Sequence, residues 1–128
     1  MTAHGTFDVK VAPQTDPDPS VSRMTIDKQY HGELEGTGKG QMLASGTAVK
    51  DTGVYVALEK VEGTLAGKRG TFLLQHSGLM VRGAQTLTIT VVPESGTGEL
   101  AGLSGRMDIK IENGKHYYTF DYTIAANK

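Results

Sequence analysis

Eight side chains that can move protons or form strong hydrogen bonds share a two-residue spacing with apolar side chains. They are Lys28, Tyr30, Tyr55, Glu59, His76, His116, Tyr118 and Tyr122. Residues two apart in a strand point to the same face of the sheet, so the apolar, inward face should carry these polar groups as well. Buried polar groups cost free energy unless they are paired, so such a set indicates a pocket with polar anchors.

Glutamate and histidine are the usual side chains for proton transfer near neutral pH. Glu59, His76 and His116 are therefore the candidate catalytic residues. The candidate ligand-binding residues are Lys28 and four tyrosines, Tyr30, Tyr55, Tyr118 and Tyr122. A structural interpretation stands beside this one, because a single inward histidine or tyrosine at the end of a barrel often serves only as a hydrogen-bonded support.

The segment 54–61 is ambiguous, because apolar residues occur at both alternating sets of positions. We favour an inward set made of Tyr55, Ala57, Glu59 and Val61, since it carries an aromatic residue and leads into a glycine turn. The other set, Val54, Val56 and Leu58, must then face outwards. An exposed apolar strip often marks an interface, so we expect a homo-oligomer.

Elsewhere, two-residue alternation and turn signals indicate eight or nine strands of ordinary length. Asn113-Gly114 is typical of a two-residue hairpin turn, and 51–53 and 66–68 are further hairpin candidates. The glycine-rich segment 32–40 predicts a bent or bulged strand. No window has a helical period, and closure avoids open edges. We predict an all-β chain forming a single antiparallel barrel of about eight strands, with a two-sheet sandwich as the alternative.

The totals exclude several functional classes. With 128 residues the chain predicts one domain spanning 1–128. A net charge of −1 offers no basic field for nucleic acid. The sequence has no cysteine, signal peptide or membrane-spanning apolar segment, which favours a cytoplasmic protein that does not bind membranes.

No cofactor or metal site is predicted. The glycine-rich run 94–105 lacks the Lys-Ser/Thr ending of a phosphate loop and precedes a strand. The four histidines form no closely spaced pair. Glu59, His76 and His116 are of a type that binds zinc, but their spacing gives no support for such a site.

Several runs resemble a known family. They are Tyr55 to Glu59, Gly70 to Gly78 with its Gln-His-Ser-Gly ending, Val91 to Leu100 with Ser-Gly-Thr-Gly-Glu-Leu, and His116 to Tyr118. The chain resembles, from about Phe7 to Ile124, small bacterial proteins of the domain of unknown function 3224 family. The resemblance implies a barrel similar to allene oxide cyclase, whose lumen holds a fatty-acid epoxide beside an inward glutamate. It also implies that Glu59 occupies the place of such a glutamate, although the lumen here is more polar than a lipid tunnel.

Three functions remain open at this point. In the first, an isomerase or cyclase uses Glu59 as base or charge stabiliser and His116 or His76 as its proton partner. In the second, a lipocalin-like barrel binds a small, partly apolar molecule without changing it. In the third, the polar lumen is a satisfied internal network, and the barrel has a purely structural role.

Overall fold

The chain forms a closed antiparallel barrel of eight strands in sequential order. The computed structural model describes residues 1–15 and 20–125. The strands are β1 (Thr2–Pro13), β2 (Ser22–Gly32), β3 (Leu34–Gly46), β4 (Gly53–Leu65), β5 (Lys68–Val81), β6 (Ala84–Val91), β7 (Leu103–Glu112) and β8 (Lys115–Ile124). Pairing of β1 with β8 closes the barrel, so the prediction of a barrel is confirmed over the sandwich.

The hairpin turns follow from their sequences. Asn113 and Gly114 have φ of 52° and 76°, as a type I′ turn requires, and Ala66 and Gly67 have 48° and 85°. A turn that the sequence analysis missed joins β5 to β6 through Arg82 and Gly83, both with positive φ. Glycine relieves the strain of a positive φ at one position of each turn.

Strand β3 pairs with both neighbours in an unbroken register, from Tyr30 opposite Gly36 to Ser22 opposite Ala44, and from Leu34 opposite Leu65 to Gly46 opposite Gly53. A bulge would shift this register by one residue. Of the two forms expected for the segment 32–40, bent or bulged, the bulged one was therefore wrong, and the alternation of inward and outward residues runs through the glycines unchanged.

The barrel has a packed base and an open mouth. At the base, where β2 meets β3 and β4 meets β5, Leu34, Leu65 and Leu100 are fully buried. The rings of Phe72 and Phe120 stack 5.8 Å apart in the same core. At the other end, the β3–β4, β5–β6 and β7–β8 connections lie around the mouth.

The ambiguity of segment 54–61 is resolved by burial. Ala57, Glu59 and Val61 are buried, whereas Val54 and Val56 are exposed and Leu58 is 59% exposed. The inward set predicted for this strand is confirmed. In the residues described here, no helix is long and apolar enough to cross a membrane.

The β6–β7 seam is the weakest junction of the barrel wall. In the described part of the chain these strands share one cross-strand pair, Thr90 with Arg106. The connection between them holds a single 3₁₀ turn, Gly98–Leu100. Glu99 in this turn is exposed and accepts a hydrogen bond from the Arg69 amide, so it lies outside the lumen.

Candidate functional site

A buried carboxylate is the centre of a polar cluster inside the barrel. Glu59 Oε1 lies 3.0 Å from Lys28 Nζ and 2.9 Å from His76 Nε2, and Glu59 Oε2 accepts a short hydrogen bond from the Tyr30 hydroxyl. Their exposed fractions are 0% for Glu59, 6% for Lys28 and 4% for His76. We call these four residues the Glu59 cluster; they come from β2, β4 and β5, and all four occupy the inward positions that the alternation predicted.

The neighbouring strand leaves room for this cluster. Gly38 on β3 lies between Lys28 on β2 and Val61 on β4 in the ladder. A Cβ at Gly38 would collide with Glu59 Oε2 and approach the Tyr30 ring. Glycine is therefore required at Gly38 by close packing, since its lack of a side chain lets the carboxylate lie against the strand.

The electrostatics of the cluster keep the carboxylate ionised. Burial by itself raises the pKa of Glu59, but the hydrogen bond from His76, the charge of Lys28 and the hydrogen bond from Tyr30 together hold that pKa below its usual range. Burial, and then the negative charge of Glu59, raise the pKa of Tyr30 well above the ordinary value. The phenol therefore stays protonated and donates to the carboxylate at neutral pH.

Lys28 has a second stabilising environment. Its ammonium lies 4.8 Å from the centroid of the Phe7 ring and 5.7 Å from that of Tyr30. Both distances fall within the range of a cation–π interaction. The lysine is thus held by one carboxylate and two aromatic faces, which offsets part of the cost of removing its charge from water.

A cavity of about 470 Å³ lies between the mouth and the cluster. Its wall is mostly apolar and includes Met24, Met42, Met80, Leu87 and Tyr55. The methionines were not singled out from the sequence, although Met24 and Met80 share the alternation of Lys28 and His76 and so could have been found. Methionine is flexible and polarisable, and it adapts to apolar ligands of varied shape.

Tyr55 lies between the cavity and the cluster. Its ring lies against Gly78, where a Cβ would collide with the ring atoms. Burial, followed by the charge of Glu59, raises its pKa, so the phenol remains a hydrogen-bond donor at neutral pH. Within residues 1–15 and 20–125 its hydroxyl has no hydrogen-bond partner. This hydroxyl is therefore a polar group of the cavity wall that could donate a hydrogen bond to a ligand.

Three other predicted residues lie outside the hydrogen-bonded Glu59 cluster, although the ring of Tyr118 packs edge-on against that of Tyr30 at 5.8 Å. Tyr118 is buried at the base, where its hydroxyl accepts from the Leu34 amide at 2.8 Å and lies 3.0 Å from the Leu34 carbonyl. Tyr122 is buried and stacks on Phe120 with a centroid distance of 5.4 Å. His116 is half-buried with its ring 5.0 Å from that of Phe7. Among described residues, none of these three shares a hydrogen bond with Glu59.

No metal centre is formed by the part of the chain that the structure describes, since it contains no group of three His, Cys, Asp or Glu side chains arranged to bind an ion. The Glu59 cluster itself supplies one carboxylate and one imidazole. A protein metal site commonly uses three or four such ligands.

Comparison with known proteins identifies the family. The model of the family described as "Protein of unknown function (DUF3224)" matches residues 3–122. The chain belongs to the DUF3224 family. This confirms the resemblance noted in the sequence, and no curated protein matches the chain.

A solved DUF3224 structure has the same barrel. It is the crystal structure of a protein of unknown function from Shewanella oneidensis MR-1, with 45% sequence identity and a TM-score of 0.93. The match covers 99% of this chain and 98% of that one. The fold therefore extends over the whole length of both proteins, whereas the expected likeness to allene oxide cyclase stays a prediction.

Proposed function

We propose that this DUF3224 protein binds a small, partly apolar molecule inside its barrel, between the mouth and the Glu59 cluster. The observation that carries the proposal is the cavity of about 470 Å³, whose mostly apolar wall includes the Tyr55 phenol. Ligand sites in proteins are usually concave and mostly apolar, with a few placed polar groups, and their volumes span about 300–1,000 Å³.

The polar groups give the ligand an orientation. Tyr55 lines the cavity, and one step deeper on β4 are Ala57 and then Glu59. On β5, Gly78 lines the cavity and His76 is the next inward residue below it. A ligand with an apolar body and one polar end fits this gradient, with its polar end directed towards the base.

The test is to fill the cavity. Ala44 lines it, and Ala48 lies exposed in the β3–β4 connection, so Ala44→Phe and Ala48→Phe form a matched pair. Native mass spectrometry of the purified protein should detect a copurified molecule in the wild type and in Ala48→Phe but not in Ala44→Phe. The proposal would be contradicted, and the structural role favoured, if no compound of a small-molecule library raised the melting temperature of the wild type or of either folded variant.

A second candidate function is isomerisation or cyclisation of the bound molecule. The hydrogen-bonded pair of Glu59 and His76, 2.9 Å apart and buried, favours it, because a carboxylate-oriented imidazole is a common acid–base device. Once a ligand is identified, its recovery unaltered after incubation would exclude this candidate. Unchanged turnover in a folded Glu59→Gln variant would remove Glu59 from the mechanism.

We also propose that the outer face of β3–β5 joins copies of the chain into a homo-oligomer. Leu43, Val54, Val56, Leu58 and Leu79 form an outer apolar patch, in which Leu43 pairs across strands with Val56, and Val54 with Leu79. The interface cores of oligomers are similarly poor in charge. Light scattering should show that a Val56→Lys/Leu58→Lys variant dissociates, whereas Ile111→Lys, which changes another exposed apolar residue, does not. A monomeric wild type would contradict this proposal.

A further inference from the structure

The Glu59 carboxylate has no free side for a ligand. Lys28 and His76 donate to one oxygen, Tyr30 donates to the other, and Gly38 lies against that second oxygen. Glu59 is also fully buried. A ligand in the cavity would therefore have to displace a donor before it could reach this carboxylate.

The histidine of the cluster is oriented differently. Because the carboxylate is ionised and accepts only, His76 Nε2 must donate its proton to Glu59 Oε1. In the neutral ring the proton is then on Nε2, and Nδ1 carries a lone pair. No described residue bonds to Nδ1, and the described residues contain no buried polar side-chain atom without a partner. Nδ1 is therefore not fully enclosed by protein atoms.

The place of His76 in its strand puts the residue next to the wall of the cavity. His76 is an inward residue of β5, paired with Ala57 and Ile89, and it lies one inward step below Gly78 of the cavity wall. Gly78 has no side chain to cover the imidazole. The Tyr55 ring, which also lines the cavity, lies against Gly78 at this level of the wall.

We propose that His76, through Nδ1, is the residue that meets the polar end of the ligand, and that the ligand carries a hydroxyl or N–H donor there. Glu59, Lys28 and Tyr30 act as positioning residues that fix the imidazole. This inference rests on the proposed function, since it needs a ligand in the cavity. It assigns the ligand class as apolar molecules with one hydrogen-bond donor.

The binding test compares two probes that differ in one donor, 2-naphthol and 2-methoxynaphthalene. A site built to bond a hydroxyl discriminates against the analogue that lacks it, because the site's polar atom is then left unpaired. We expect the wild type to bind 2-naphthol about tenfold more tightly, a typical value for one hydrogen bond. In His76→Leu the two affinities should become equal, and His76→Gln should restore part of the difference.

The positioning role has its own readout. Lys28→Met/Glu59→Met removes the ion pair but leaves His76 in place, so the preference for 2-naphthol should fall while 2-methoxynaphthalene binds as before. Long-range proton–nitrogen spectra of the neutral imidazole should show the proton of wild-type His76 on Nε2. Circular dichroism checks that each variant is folded.

The outcomes separate the two proposals. If wild type binds both probes equally, if the preference survives in His76→Leu, or if the His76 proton lies on Nδ1, this inference is overturned while lumen binding stands. If neither probe binds to the wild type but the proton lies on Nε2, the arrangement of His76 is correct and the proposed ligand class is wrong.

Discussion

Lys28 and Glu59 form an ion pair in which both residues are almost fully buried, so each charge depends on the other for stabilisation. Each charge compensates for the water that the other has lost, and the pair is 3.0 Å apart. Breaking a buried pair by removing one partner is costly, whereas replacing both with apolar side chains is often tolerated. Stability should therefore respond differently to single and double substitutions.

We predict that Lys28→Met lowers the free energy of unfolding by about 3–5 kcal/mol, because it leaves the buried carboxylate without its counter-charge. The double variant Lys28→Met/Glu59→Met should recover most of this loss. Urea unfolding of the three proteins measures both effects. A single variant as stable as the wild type would mean that water reaches the carboxylate and that the pair contributes little.

The lowered pKa of Glu59 predicts an acid-sensitive component of stability. Its folded pKa lies below the unfolded value of about 4.3, so the contribution is fully present above that value and is lost as pH falls through the folded pKa. Urea midpoints measured between neutral and acidic pH should decline more for the wild type than for Lys28→Met/Glu59→Met. Parallel declines would place the acid sensitivity in other carboxylates.

For single residues, the sequence predicted which side chains face inwards but not which of them form hydrogen bonds with one another. Lys28, Glu59 and His76 were all expected on inward positions, and alternation alone predicts this. The shared hydrogen bonds depend on how far each strand is shifted along its neighbours, which is a property of the closed barrel. For the same reason Tyr118 was expected near a ligand, whereas its hydroxyl bonds to the backbone at Leu34.

Among the strands, β3 shows most directly how an element serves the site. It pairs without interruption with β2 and β4, its glycines allow close approach of β4, and Gly38 gives space to the Glu59 carboxylate. Gly46, at the end of the same strand, has only one atom within 4 Å of where a Cβ would be, at 3.8 Å. The two positions therefore form a matched pair for substitution.

We predict that Gly38→Ala destabilises the protein by about 1–3 kcal/mol, the usual cost of overpacking, because the methyl group must displace Glu59. Gly46→Ala should change the free energy of unfolding by less than about 0.5 kcal/mol. Thermal or urea unfolding would test the pair. Equal effects would show that the requirement at Gly38 is conformational and not steric.

The turns and strands were predictable where the residue types of a short segment determine its conformation. Asn113-Gly114 specified its turn, and the alternation around Tyr55 to Val61 specified a strand face. The Arg82-Gly83 turn was missed because arginine is an uncommon residue at positive φ. A bulge was one of the two forms expected in 32–40, and that expectation was wrong because those glycines allow close packing between strands. The requirement for close packing arises only once the neighbouring strands are in place.

The extent of strand pairing differs around the closed wall of the barrel. Strand β4 pairs with both neighbours over its full length, Gly53–Leu65. Strand β6 pairs along its length with β5 but meets β7 at Thr90 alone in the described chain. Unpaired backbone at the β6–β7 seam gives this side of the barrel less support.

We therefore predict that hydrogen exchange begins at the seam. Peptides covering residues 84–91 should exchange faster than those covering 53–65, because local opening there breaks fewer backbone hydrogen bonds. Mass-spectrometric exchange at neutral pH measures both segments in one experiment. Equal protection of the two would mean that the barrel opens only by global unfolding.

Closure by β1 and β8 has a consequence for the synthesis of the protein. Thr2 pairs with Asp121 and Phe7 with His116, while the Met1 and Tyr122 backbones bond to each other. A ribosome delivers β1 before β8, so the growing chain cannot close this barrel until β8 has emerged. Until then β1 presents an open edge that invites pairing with other chains. Ribosome pausing before β8, or loss of that strand, would prolong this aggregation-prone state.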